Sequence, residues 1–226
     1  MNRRAVLASS CLAAALVGVY ARARFRTEPA GNDAQTQVLI SGGETHRVTP
    51  EMAEGSRERV GTPAPGFEAD GSDGRRYALD AQLRRGPVVL TFIKEGCPCS
   101  EAAQPFFNAV RDAYPKAAFL GVIDVDPDAA RRWADKFGAA YPLLTDRSYR
   151  IVRDYGAENS AYVVVVGPDG RIQKHWPGFS SDMLRDLGAT LAALTGAAEA
   201  PLNVADAPDT LYSGCPYDLS NQETSG

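Results

Sequence analysis

The run Pro87-Val88-Val89-Leu90-Thr91-Phe92-Ile93 places the tightest constraint on how this chain folds. It is almost unbroken in apolar and β-branched residues, the pattern of a strand buried on both faces, so other elements must pack above and below it. The run leads straight into Gly96-Cys97-Pro98-Cys99-Ser100. Ala103, Phe106, Phe107, Val110 and Tyr114 then fall at helical spacing, which predicts a helix from about Ser100 to Ala113 with one apolar face. Pro105 is expected to kink it. A strand that ends in a cysteine at the mouth of a helix is therefore the organising unit of the chain.

The rest of the pattern extends this unit. Val60 to Phe67 carries two prolines and reads as an extended entry, followed by a short hairpin that turns at Ser72-Asp73-Gly74. Ala118 to Ile123 reads as a second buried strand, Asp128 to Phe137 as a helix closed by Gly138, and Ser148 to Tyr155 as a further short helix. Tyr162 to Val166, the turn Gly167-Pro168-Asp169-Gly170 and Arg171 to Trp176 predict an antiparallel hairpin, with a last helix from about Ser181 to Leu194. The alternation gives an α/β domain: a mixed central sheet flanked by helices.

The two ends differ from this middle. Met1-Asn2-Arg3-Arg4 precedes an apolar run from Ala5 to Ala21, and Arg22-Ala23-Arg24-Phe25-Arg26 follows it. Residues 1–26 therefore read as an export segment, either a cleaved signal or a retained membrane anchor. Arg3-Arg4-Ala5-Val6-Leu7 is similar to a twin-arginine export motif, and Cys11 belongs to this segment. Residues 27–59 mix Gly, Asn, Thr, Ser, Glu and Arg without apolar period and read as a linker, with His46 a solvated linker histidine. Residues 60–196 form the domain, and 197–226 an irregular tail carrying Gly214-Cys215-Pro216. A net charge of -4 offers no broad basic field, so nucleic acid is not an expected partner and the membrane is met only through the N-terminal segment.

Export places Cys97, Cys99 and Cys215 in an oxidising compartment, and three is an odd number. At least one thiol must be free, exchanging or bonded to another molecule. Cys97 stands where a helix N-terminus favours the thiolate, the reactive form, at the C-terminal edge of the sheet. Lys94 would add to that effect and Glu95 oppose it.

The order of elements, together with Gly61 to Phe67, Asp73-Gly74, Gly86 to Phe92, Cys97-Pro98, Pro105, Tyr141 to Asp146 and Gly167 to Ile172, resembles the redoxin branch of the thioredoxin superfamily, which includes peroxiredoxins and membrane-tethered thiol-disulfide oxidoreductases. The resemblance implies a thioredoxin-like fold and gives Cys97 the nucleophile's position, with Pro105 as the helix proline eight residues on. Three departures accompany it. Ser100 stands at the usual resolving position and a cysteine comes one residue early, at Cys99. Ala161 stands where oxidoreductases carry a cis-proline and peroxiredoxins often an arginine. Lys94 stands where peroxiredoxins carry Thr or Ser, three residues before the nucleophile.

The reading that follows is an extracytoplasmic thiol-disulfide oxidoreductase with Cys97 as nucleophile and Cys99 or Cys215 resolving. Protein thiols and disulfides would be its substrates, an unidentified electron donor its partner, and no cofactor is called for. A Cys97-Cys99 bond would join residues two apart at a helix start, which do not face one another. Cys215 lies on irregular chain long enough to reach the site. One alternative is a thiol peroxidase with Cys97 as the peroxidatic thiol. Another is a non-catalytic or Cu(I)-handling module, for which His175 is the only histidine in the domain. Trp133 and Trp176 read as packing residues, and Asp124, Asp126 and Asp146 as caps or turn residues.

Overall fold

The computed structural model describes residues 46–220; the export segment with Cys11, the first part of the linker and the last six residues lie outside them. In chain order the elements are α1 (Pro50–Arg59), β1 (Glu68–Asp70), β2 (Arg76–Ala78), α2 (Leu79–Leu83), β3 (Val88–Ile93), α3 (Pro98–Ala113), β4 (Ala118–Ile123), α4 (Pro127–Phe137), β5 (Leu143–Thr145), α5 (Arg150–Tyr155), β6 (Val163–Val166), β7 (Ile172–Trp176) and α6 (Ser181–Thr195). The five-stranded sheet runs β5-β4-β3-β6-β7. β3 is parallel to β4 and antiparallel to β6, which makes the sheet mixed, and β1 pairs with β2 as a separate hairpin.

The constraint read from the apolar run is met in full: all six residues of β3 are buried, because the strand is central and covered on both faces. Its side chains divide by alternation. Val89 and Ile93 join Val163 and Val165 under α3, α4 and α6, where Phe107, Val110, Trp133, Leu184 and Leu187 pack. Val88, Leu90 and Phe92 join Val164 and Val166 on the other face, against Phe67, Leu79, Ile151 and Tyr155. The predicted helices form within two residues of their expected ends. α4 starts on Asp126, whose carboxylate accepts from the Ala129 amide, and closes on left-handed Gly138.

Residues 50–59 correct the reading of 27–59 as a linker. They form α1, capped by the Thr49 hydroxyl, which accepts from the Met52 amide, and opened by Pro50 at its first position. Its composition hid it: Ser56 is its one buried residue, so no apolar stripe marks a docked face. Ser56 instead reaches His175 of β7, with Oγ 2.9 Å from Nδ1. His46 departs from its solvated reading too, being half-buried with its carbonyl accepting from the Ser213 amide at 2.8 Å.

The described tail holds no helix or strand, yet it docks. Val204, Ala207, Tyr212 and Ser213 are buried, as is Tyr217. Tyr212 exchanges both backbone hydrogen bonds with Phe179, at 2.9 and 3.0 Å. Arg47 bridges it from the other side. The segment then crosses the end of the sheet, so that Cys215 packs on one core and Tyr217 on the other.

Candidate active site

β3 ends at Ile93, and the three residues after it set the cysteine's position. Gly96 takes a left-handed φ of 73°, and the Cys97 amide donates to the Lys94 carbonyl at 3.2 Å. The Lys94 amide donates to the Ser100 hydroxyl, also at 3.2 Å, so Ser100 ties the loop to the first turn of α3. The Glu95 amide donates to Asp124 at the end of β4. Cys97 is the N-cap of α3, with Pro98 at the first helical position, but its side chain makes no capping bond. The sulfur is thus left for chemistry, beside amides that the helix leaves unpaired.

Cys97 is only 1% exposed, and hydrogen-bond donors converge on its sulfur. The Ser160 hydroxyl donates to Sγ at 3.1 Å and the Cys215 backbone N–H at 3.2 Å. The side chains of Cys99 and Cys215 pack beside it. The Cys99 thiol above all, then Ser160 and Cys215, hold the Cys97 thiol far below its ordinary range against the opposing effect of burial. The two neighbours move the other way. Cys99 is pushed up by its bond to Cys97 and by burial, and Cys215 by burial and by its bond to Cys97. Of the three, the thiolate is favoured at Cys97, and none of the three is in a disulfide.

Cys215 arrives through backbone pairing. The Gly214 amide donates to the Ser160 carbonyl at 2.7 Å, the Ser160 amide to the Cys215 carbonyl at 3.0 Å, and the Tyr217 amide to the Glu158 carbonyl at 3.0 Å. Asn159 braces the turn by donating to the Gly214 carbonyl and the Ser213 hydroxyl. Two glycines allow the close approach: a methyl at Gly214 would overlap Ser160, and one at Gly178 would overlap the backbone of Tyr212. Lys94 donates its ammonium to the Pro216 carbonyl at 2.6 Å, so it clamps the tail.

The three predicted cysteines therefore meet at one point, and Ser160 with the Cys215 amide joins them. Ser160 was missed because a single serine before a strand carries no pattern of its own. The available signal was its neighbour Ala161, already marked as a departure, which adopts a left-handed φ of 63° and is 1% exposed. Ser160 beside this turn spends its amide, carbonyl and hydroxyl on Cys215, Gly214 and Cys97 respectively. His175 stands apart. Its Nδ1 faces Ser56 and its Nε2 the Tyr155 carbonyl, each at 2.9 Å, and burial lowers its pKa to about 4. Both ring nitrogens are taken, so His175 does not join the cysteines.

The AhpC/TSA family model matches residues 60–175. The chain is 26% identical over 118 residues to the thiol-disulfide oxidoreductase ResA of Geobacillus thermodenitrificans, covering 51% of this chain and 67% of that protein. It is 28% identical to the chloroplastic peroxiredoxin Q of Gentiana triflora, over 47% of this chain and 50% of that one. The fold is similar to that of the peroxidoxin BcpB of Mycobacterium tuberculosis, with a TM-score of 0.52, 21% identity, and coverage of 61% of this chain and 97% of the other. A buried cysteine at the mouth of α3, on a thioredoxin-like mixed sheet, agrees with these likenesses, and the chain belongs to the AhpC/TSA family as a thiol redox enzyme of the thiol-disulfide oxidoreductase or thiol peroxidase type.

Proposed function

We propose that this enzyme catalyses thiol-disulfide exchange outside the cytoplasm, with Cys97 as the attacking thiolate and Cys215 as the resolving thiol. One observation carries the reading: the Cys97 sulfur accepts from Ser160 and from the Cys215 amide, which brings the tail cysteine to it in register. The Cys97 thiolate attacks a substrate disulfide, forming a mixed disulfide and releasing one substrate thiolate. The Cys215 thiol, losing its proton, attacks the Cys97 sulfur. The second substrate thiolate leaves, and a Cys97–Cys215 disulfide remains for an external dithiol to reduce. Cys99 fits the resolving role less well, because it is fixed in the first turn of α3 and 3% exposed, and a bond between residues two apart in sequence departs from ordinary disulfide geometry. The Cys99 thiol instead favours the ionised form of Cys97. The export-like N-terminus supports the location.

A second reading, thiol peroxidase, draws on the likeness to peroxiredoxin Q. The Cys97 thiolate would attack one peroxide oxygen, leaving a sulfenic acid and an alcohol or water. The Cys215 thiol would then condense with it to a disulfide and release water. Both readings predict the same resting disulfide and differ in the oxidant. Turnover of a disulfide-bonded peptide and of hydrogen peroxide, each with dithiol reductant, separates them. In the exchange reading the peptide is the faster substrate, Cys97→Ser abolishes turnover, and Cys215→Ser accumulates a mixed disulfide on Cys97. A Cys215→Ser variant that turns over unimpaired overturns the resolving assignment.

A further inference from the structure

The same contacts that bring Cys215 to Cys97 close the site. With the tail seated, 1% of Cys97 and 3% of Cys99 is exposed, and the partly exposed sulfur of the three is Cys215. No protein disulfide can place its sulfur atoms in line with a thiolate covered in this way, since exchange requires the attacking sulfur to reach its target directly. The cover is secured along its length. The Ser181 amide donates to Pro208, Tyr212 pairs with Phe179, Gly214 and Cys215 pair with Ser160, and Tyr217 donates to Glu158. Lys94 holds Pro216 from the loop that carries Cys97.

The bonding also shows how the cover can lift without unfolding the domain. Residues 208–217 add no strand to the five-stranded sheet; they are held by isolated bridges and by side chains resting on the ends of both cores. A segment outside the regular elements can open as a unit while the core it lies on stays folded. Deep burial of Tyr217 and Tyr212 keeps the closed state favoured.

We propose that the segment from Pro208 to Tyr217 is a gate that decides what reacts with Cys97. Closed, it shields the thiolate from protein disulfides. Open, it admits them, and its return brings Cys215 onto the mixed disulfide. This deepens the exchange reading above, on which its biological use rests, yet gating itself is a statement about access and is measured without turnover.

The test uses the full chain, reduced, with Cys99→Ser so that Cys97 is alone in its stretch of sequence. Iodoacetamide alkylation of Cys97, in which the thiolate forms an S–C bond and iodide leaves, is followed by mass spectrometry. Amide hydrogen exchange of residues 211–217 is followed in parallel. Gly178→Ala, which crowds the Tyr212 backbone, loosens the tail at a point away from the cysteines. The gate predicts that opening and alkylation rise together, by about tenfold or more in Gly178→Ala, with the pH midpoint of alkylation unmoved. Alkylation that stays constant while exchange rises overturns it. So does a parent protein whose Cys97 is alkylated faster than its tail amides open, a result that needs no variant to fold. Failure of the exchange reading would register elsewhere, as a Cys97 that reacts with iodoacetamide but never forms a disulfide with Cys215.

Discussion

Both faces of the central sheet bury titratable groups, and two of them, His175 and Cys97, are treated in opposite ways. On the α5 side, His175 meets one hydroxyl and one carbonyl, and burial leaves it neutral. On the α3 side, Cys97 is buried at least as deeply but accepts from a hydroxyl and a backbone amide, with two further thiols beside it. Burial penalises charge in both places. What differs is the count and polarity of the partners, and at Cys97 they outweigh desolvation. A buried group in this fold is reactive because of what points at it.

Four experiments would break or sharpen that contrast. The largest effect belongs to Cys97→Ser, which should lower turnover by about a thousandfold or more, some 4 kcal/mol of barrier, with the fold intact by circular dichroism. Retained activity would move the chemistry off this face. Acid should act next, on the other face. His175 is neutral when folded, with a pKa of about 4 against an ordinary 6.5, so protons favour the unfolded chain between those values. Its contribution to stability is whole above pH 6.5 and is lost as pH falls toward 4, by about 3 kcal/mol, which urea unfolding at stepped pH would record and which His175→Gln should flatten. Ser160→Ala removes one donor from the thiolate and should raise the Cys97 midpoint, seen by ultraviolet thiolate absorbance, by about one unit. An unmoved midpoint would mean that the Cys215 amide and the neighbouring thiols suffice to hold the charge. Ser56→Ala is the smallest, costing about 1 kcal/mol of stability and leaving turnover within about twofold, because its partner His175 takes no part in the chemistry.

What the sequence disclosed follows the same division. Elements with a side-chain period were readable: the apolar run of β3, the helical spacing after Cys97, the turn of Gly167 to Gly170. The place of Cys97 was readable because the strand and helix periods on either side of it fix it at the mouth of α3. α1 was not, since it docks through the polar contacts of Ser56 with His175 and of Arg59 with the Asp154 carbonyl, with no apolar stripe. The tail was not, since its attachment runs through the backbone of Tyr212, Gly214 and Cys215, and backbone pairing outside strands writes no period into the side chains. Ser160 shares that invisibility. Its role exists only once a segment distant in sequence has been laid against it.

Gly214 and Ser160 fit so closely that neither has room to grow unless the other shrinks. Gly178 carries the same constraint from the Tyr212 backbone. These positions should therefore drift as a group among descendants of this chain. A lineage that keeps the Gly-Cys-Pro tail should keep small residues at all three, and one that loses the tail is released from every one of them at once. Bulky residues at 160 or 178 would then mark, in a related sequence read alone, a protein whose nucleophile lies open.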